Sequence, residues 1–221
     1  MAPYPDHSAV ESPLHSPGSQ RKKSLRVPAG SFLRLFLQLN RLEENSRFLF
    51  QPGMLFNDTL QWWGSMNRRP YPHEGLDICP IQCLDLSPDR VLPQMLVPAL
   101  LSGQLVHFHS DFLGETLYIR HDQVWKEGAV LHTLYGHVAT IVDANTTGEQ
   151  LSADHCCSSF LDRGQIVGAI SSPPATCSVP AHLHISCAWI REEQQVEELN
   201  WEDMIANANV LFIDPLPFLI Q

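Results

Sequence analysis

Positive charge is scarce in this chain of 221 residues: 14 Lys and Arg stand against 24 Asp and Glu, a formal net charge of −10. A broad nucleic-acid binder needs a basic footprint to neutralise phosphates, so that class is set aside, although a cationic substrate is not. No apolar run approaches the ~20 residues that cross a bilayer as a helix, and no transmembrane segment is expected. The N-terminal stretch does not read as an ordinary secretory signal. There is no apolar core near Met1, and the apolar stretch after Lys23 is broken by Arg26 and Arg34. No internal repeat is visible. Cysteine is limited to Cys79, Cys83, Cys156, Cys157, Cys177 and Cys187. An even count permits disulfides, but spacing does not give their connectivity. Cys79 and Cys83 make one C-x3-C without the second pair of a structural zinc site, so buried or idle thiols are the plainer expectation.

What is present is enough apolar residue, 44% of the chain, for one real core. Residues 1–30, rich in Pro, Ser and His, read as a disordered arm. Residues 31–69 read as an extension packing on the body. Within it Ser31–Asn40 reads as a strand by the alternation of Leu33, Leu35, Leu37 and Leu39, against a rival helical face of Arg34, Gln38 and Arg41. The aromatics of residues 46–69, Trp62 and Trp63 among them, suit a loop wrapping the core or lining a substrate wall. Pro72 and Gly75 oppose a helix around His73, so a turn leading into a short strand is expected there.

From residue 99 onward short β-type runs dominate. Gln104–His109, Thr116–His121, Val130–Val138, Gln165–Ile170 and His182–Trp189 read as strands, with turns at Asp111–Gly114 and Asn145–Gly148. Residues 149–163 read as a polar insertion, Ser171–Pro180 as a Pro- and Ser-rich loop. Glu192–Ala208 reads as one substantial C-terminal helix, followed by an apolar terminal segment. The predicted class is mainly β, an antiparallel sheet or open barrel-like domain over residues 70–221 with a C-terminal helix.

Histidine is the conspicuous chemical resource. Eleven in 221 residues give about 0.5 H-x-H patterns by chance. The sequence holds two, so neither alone is specific. Side chains at i and i+2 of a strand share a face, about 6.6 Å apart. His182 and His184 can therefore serve one cleft, with His73 and Asp77 as further ligands. His107-Phe108-His109 followed by Glu115 faintly suggests a cupin metal site, but the spacing to Glu115 is long and no second cupin motif follows. His107 and His109 are expected at the surface or rim.

Order adds the specificity that single motifs lack. His73-Glu74-Gly75-Leu76-Asp77, Leu134-Tyr135-Gly136-His137, Gly164-Gln165-Ile166-Val167-Gly168 and Ala181-His182-Leu183-His184-Ile185 follow one another along the chain. This series resembles the lysostaphin-like zinc endopeptidases, which cleave peptide cross-links in bacterial cell walls. The resemblance covers about residues 70–190. It implies one Zn²⁺ per chain held by His73, Asp77 and His184, with His137 and His182 as catalytic histidines outside the metal shell. It leaves open which of those two is the base. Glu74 is an alternative base, although an extended segment should turn it away from His73. Tyr71 is not aligned firmly enough to count.

The resemblance also implies a peptidoglycan or short-peptide substrate and a cell-envelope or extracellular setting. The sequence departs from the family where Pro180 sits one place early, where the preceding loop is Ser- and Pro-rich, and where the insertion is longer. These departures bear on substrate choice. A non-catalytic, cell-wall-binding relative and a cupin-type metal protein are the alternative functions.

Overall fold

The computed structural model describes residues 24–27, 30–42, 48–84, 95–139 and 159–221. The Asn145–Gly148 turn, the Cys156–Cys157 pair and residues 1–23 lie outside the described residues.

Alternating apolar residues build the body as a mainly antiparallel sheet. Its longest strands are β5 (Gly103–Ser110), β6 (Glu115–Lys126), β7 (Ala129–Ala139) and β10 (Leu183–Arg191). Shorter strands are β3 (Leu76–Ile78), β4 (Leu96–Pro98), β8 (Phe160–Leu161), β9 (Ile166–Ile170) and β11 (Val210–Ile213). The main path runs β11-β10-β7-β6-β5-β8, with β3 on β10 and β9 bridging β7 to β4. Two tight connections follow from local chemistry. Asp111 accepts the N–H groups of Leu113 and Gly114 between β5 and β6. Glu127 and Gly128, both at positive φ, close the β6–β7 hairpin.

Successive strand residues point to opposite faces, and this divides the sheet's work. Leu183, Ile185 and Cys187 of β10, Leu76 and Ile78 of β3, and Leu117 and Ile119 of β6 enter the main core. The N-terminal segment covers that face. It supplies β1 (Leu25–Val27) paired with β2 (Phe48–Phe50), and the helix α1 (Ser31–Leu39). The short helix α2 (Pro80–Cys83) lies beyond β3. The opposite face carries Tyr118, Leu134, Ala188 and Ile190 into a smaller second core. The same face, further along, carries Asp77 and His184.

Three readings are corrected. Ser31–Leu39 is a helix, not a strand: Phe32, Leu33, Phe36 and Leu37 form a buried stripe while Arg34 and Gln38 are exposed, which is 3.6-residue periodicity. The Leu alternation competed with that stripe and lost, since Leu favours helix and no β-branched residue occurs there. Leu25–Val27, inside the stretch read as an arm, is strand β1. The single helix over Glu192–Ala208 is instead a 3₁₀ turn (Val196–Glu198) and the short helix α3 (Trp201–Ala206). Asn200 breaks it: its extended backbone and a side chain accepting the Asp203 N–H restart the chain as an N-cap. A last helix, α4 (Leu216–Leu219), buries Leu219 in the main core.

The other strand readings hold within a few residues. Among the described residues no helix is long and apolar enough to cross a membrane.

Candidate metal centre

Register brings two of the expected ligands together. β3 pairs β10 with Asp77 opposite His184, and directly opposed residues share a face. The turn before β3 folds His73 onto the same spot. Gly75 makes this possible: a Cβ there would meet Ile185 O at 2.4 Å, Ser186 Oγ at 2.5 Å and His184 Nε2 at 2.6 Å. The outcome is a buried cluster of His73, Asp77 and His184 with one donor atom from each within 4.8 Å of the others. It is the sole such group of three among the described residues.

The hydrogen bonds behind the cluster fix the tautomers. His73 Nδ1 lies 3.0 Å from the carbonyl oxygen of Leu55 and must donate to it, leaving a lone pair on Nε2. Ser186 Oγ gives its proton to the carbonyl oxygen of Glu74, so it accepts the Nε2–H of His184 at 2.9 Å. The lone pair of His184 is therefore on Nδ1. Asp77 Oδ2 accepts from Trp62 Nε1 at 2.7 Å and Arg69 Nη2 at 3.2 Å, so Oδ1 faces the two imidazoles. Oδ1 lies 2.8 Å from His184 Nδ1 and 3.2 Å from His73 Nε2, and the two nitrogens are 3.3 Å apart.

Three lone pairs converge with no proton among them in the neutral tautomers. That arrangement repels itself without a cation and becomes a ligand set with one. Tetrahedral Zn²⁺ with bonds of about 2.0–2.1 Å has donor–donor edges of about 3.3 Å. The residues present fit that ion.

Burial would lift the Asp77 carboxyl, but the surrounding imidazoles of His73, His182 and His184, each of which favours the carboxylate whenever it takes a proton, outweigh it and hold the group well below the usual carboxylate range. Asp77 is thus an anion, as a ligand must be.

Two further imidazoles stand beside the cluster. His182 donates Nδ1–H to the carbonyl oxygen of Pro180, and its Nε2 lies 3.8 Å from Asp77 Oδ1. Burial pushes its pKa down to about 4, with Asp77 opposing, so it is neutral near pH 7. Trp62 meets its ring edge-on at 5.2 Å between centroids. The ring of His137 lies 4.7 Å from that of His182 and 6.0 Å from that of His184. All five residues singled out from the sequence, His73, Asp77, His137, His182 and His184, therefore share one buried cleft.

Other candidates fall elsewhere. Glu74 approaches His184 at Nε2, 4.0 Å away, the nitrogen turned from the cluster. His107 and His109 are half-buried on β5 with their rings beside Tyr118, and among the described residues no third ligand gathers with them. Cys79, Cys83 and Cys187 are buried and unbridged, as is the partly exposed Cys177.

Sequence reasoning missed Asp111, read only as a turn residue. It also missed the supporting roles of Arg69, Ser186, Thr116 and Trp201. For Trp62 the aromatic wall was noticed, but its N–H on Asp77 was not. Asp111 carried a usable signal, an acidic residue ending a strand beside two histidine-bearing strands.

No protein-family model matches the chain, and no curated protein matches it. Among solved structures it is similar to the solution structure of lysostaphin, with a TM-score of 0.41 and 17% identity, over 71% of this chain and 47% of that one. It is also similar to a point mutant of the catalytic domain of the prophage-encoded M23 protein EnpA from Enterococcus faecalis. There the TM-score is 0.35 and the identity 18%, over 63% of this chain and 83% of that one. The match thus spans about half the length of lysostaphin.

Proposed function

We propose that the protein is a zinc-dependent endopeptidase of the lysostaphin type, hydrolysing peptide bonds in peptidoglycan stems or cross-bridges. The observation that carries this reading is the convergence of His73 Nε2, Asp77 Oδ1 and His184 Nδ1, each with its remaining polar atoms tied outward. Two imidazoles and one carboxylate leave a fourth tetrahedral position open, the pattern of a catalytic rather than a structural zinc. Bound there, zinc would supply Lewis acidity to a water and to the scissile carbonyl.

The chain's own residues do the rest. His182 and His137 each anchor Nδ1–H, which places the lone pair of the neutral ring on Nε2. One of them takes a proton from the attacking water, and a proton is then delivered to the leaving amine. The neutral His182 is suited to accepting it. Trp62 and Arg69 fix the Asp77 carboxylate, and Trp62 also fixes the His182 ring.

The four ordered motifs support the substrate class. Residues 70–221 are assigned to the peptidase unit and 31–69 to an extension on it, whose Leu55 carbonyl orients His73. The test is digestion of purified peptidoglycan by the zinc-loaded chain, with mass analysis of the products. Zinc-dependent release of peptide termini is expected. Intact peptidoglycan after incubation with stoichiometric zinc enzyme would favour the non-catalytic, wall-binding alternative.

A further inference from the structure

His137 occupies a costly backbone position. Its φ is +63°, in the left-handed region that a β-strand residue other than glycine avoids. The cause is a register shift between β6 and β7, where Glu115 pairs Val138 but Leu117 pairs Tyr135. The extra residue on β7 turns the His137 ring towards His182. Left to itself, a residue in that conformation would be poorly fixed.

One carboxylate holds it twice. Asp111 Oδ2 accepts the backbone N–H of His137 at 2.9 Å, and Asp111 Oδ1 accepts its ring Nδ1–H at 3.0 Å. The carboxylate is itself braced. Oδ1 takes the N–H groups of Leu113 and Gly114, and Oδ2 takes the hydroxyl proton of Thr116 at 2.8 Å. The direction of that last bond is set by Trp201, whose Nε1–H can only donate and does so to Thr116 Oγ1 at 2.9 Å. The same indole stands edge-on to the His184 ring, 4.9 Å between centroids.

We propose that Asp111 is the positioning residue for His137, and that Thr116 and Trp201 hold Asp111 in that role. This rests on the reading of His137 as a proton carrier in peptide hydrolysis. Asp111 selects the Nδ1–H tautomer and leaves the Nε2 lone pair facing the cleft. Whichever histidine first takes the water's proton, once His137 Nε2 carries it the imidazolium stands against a carboxylate that stays ionised. The proton leaves again to the amine nitrogen as the C–N bond breaks, and Asp111 itself gains none.

A turn-capping role alone would need only the two bonds to Leu113 and Gly114. The test separates the two roles. In the zinc-loaded full chain acting on a soluble muropeptide, Asp111→Asn should lower kcat about 10²–10³-fold, with KM within about threefold and zinc content unchanged. Combined with His137→Ala it should cost no more than His137→Ala alone. Thr116→Val, which leaves the turn intact, should lower kcat about tenfold. Nitrogen-15 spectra of the His137 ring should show protonated Nδ1 and bare Nε2 in the parent chain, and a mixture of tautomers in Asp111→Asn.

Parent-level kcat and an unchanged His137 tautomer in Asp111→Asn would overturn the proposal even if the protein is a peptidase. So would parent-level kcat in Thr116→Val, should Asp111→Asn fail to fold. If the parent chain cleaves no muropeptide, the hydrolase reading fails, and the ring spectra still decide whether Asp111 sets the tautomer.

Discussion

Asp77 and His184 are 107 positions apart in sequence and face each other across β3 and β10, with Oδ1 and Nδ1 separated by 2.8 Å. Strand register alone places them so. A slip of one residue would turn Asp77 into the main core and its apolar neighbours into the cleft. The contact between a carboxylate oxygen and an imidazole lone pair is thus a consequence of the apolar pattern of Leu76, Ile78, Leu183 and Ile185 as much as of the two polar residues.

Removal of a ligand should remove the metal. His73→Ala and His184→Ala are each expected to lose stoichiometric zinc and hydrolysis together. His182→Ala should keep zinc and lose turnover by about 10²–10⁴-fold. Metal analysis of the purified variants checks both halves. Full zinc occupancy in the first two would refute the ligand assignment, and parent-level turnover in the third would remove His182 from the proton path.

Zinc should also stabilise the fold, because the unfolded chain offers no preformed site. At a free concentration 100 times Kd the gain is about 2.7 kcal/mol. Ser186→Ala releases the His184 Nε2–H that holds the ring in its metal-binding tautomer, and zinc affinity should fall about 10–100-fold. Competition with a chromophoric chelator measures it, and an unchanged Kd would show that the serine does not orient the ring.

Gly75→Ala tests the close approach of the turn to β10. The added methyl would lie 2.4 Å from a backbone oxygen and 2.6 Å from a ligand imidazole, so the turn or His184 must shift. A loss of about 1–3 kcal/mol in stability is expected, with weakened zinc binding. Thermal unfolding with and without zinc reads both, and a variant indistinguishable from the parent in both would contradict the packing described.

Acid should destabilise the protein through His132 on β7. Burial pushes this imidazole down to about 4, against about 6.5 in the unfolded chain. Between those values the unfolded state binds more protons, so stability falls as pH drops from about 6.5 to about 4 and is unaffected above. The contribution is on the order of 3 kcal/mol across that window. His132→Leu should flatten that part of the curve, and it also removes an Nε2 that has no hydrogen-bond partner. Unfolding measured at pH 4.5 and 7.5 in the presence of a chelator isolates the effect, and parallel curves for the two proteins would count against it.

Much of the site was legible from spacing. His182 and His184 sit two apart on a strand edge, His73-x-Gly75-x-Asp77 leads into another, and four motifs come in a consistent order. The sheet was legible because short β-type runs bounded by turn residues recur along the chain, and Thr116–Ile119 and Val130–Val138 prove to be strand segments buried on both faces. Ser31–Leu39 was misread because nine residues with four leucines satisfy both periods, and only packing on the body selects the helix. The helix expected over Glu192–Ala208 was misread because propensity does not register Asn200 as a cap. Asp111 passed for a turn residue because its two turn bonds are local, while its bonds to His137 join residues 26 positions apart.

The amino-acid sequence determined the donor chemistry and the alternation that makes a sheet, since both depend on residue type and near neighbours. Tertiary structure decided which nitrogen of each imidazole carries its proton. That follows from partners such as the Leu55 carbonyl for His73 and Ser186 for His184, brought near by folding. A proton's position on a ring depends on what the other nitrogen meets in space, and only the folded chain supplies that neighbour.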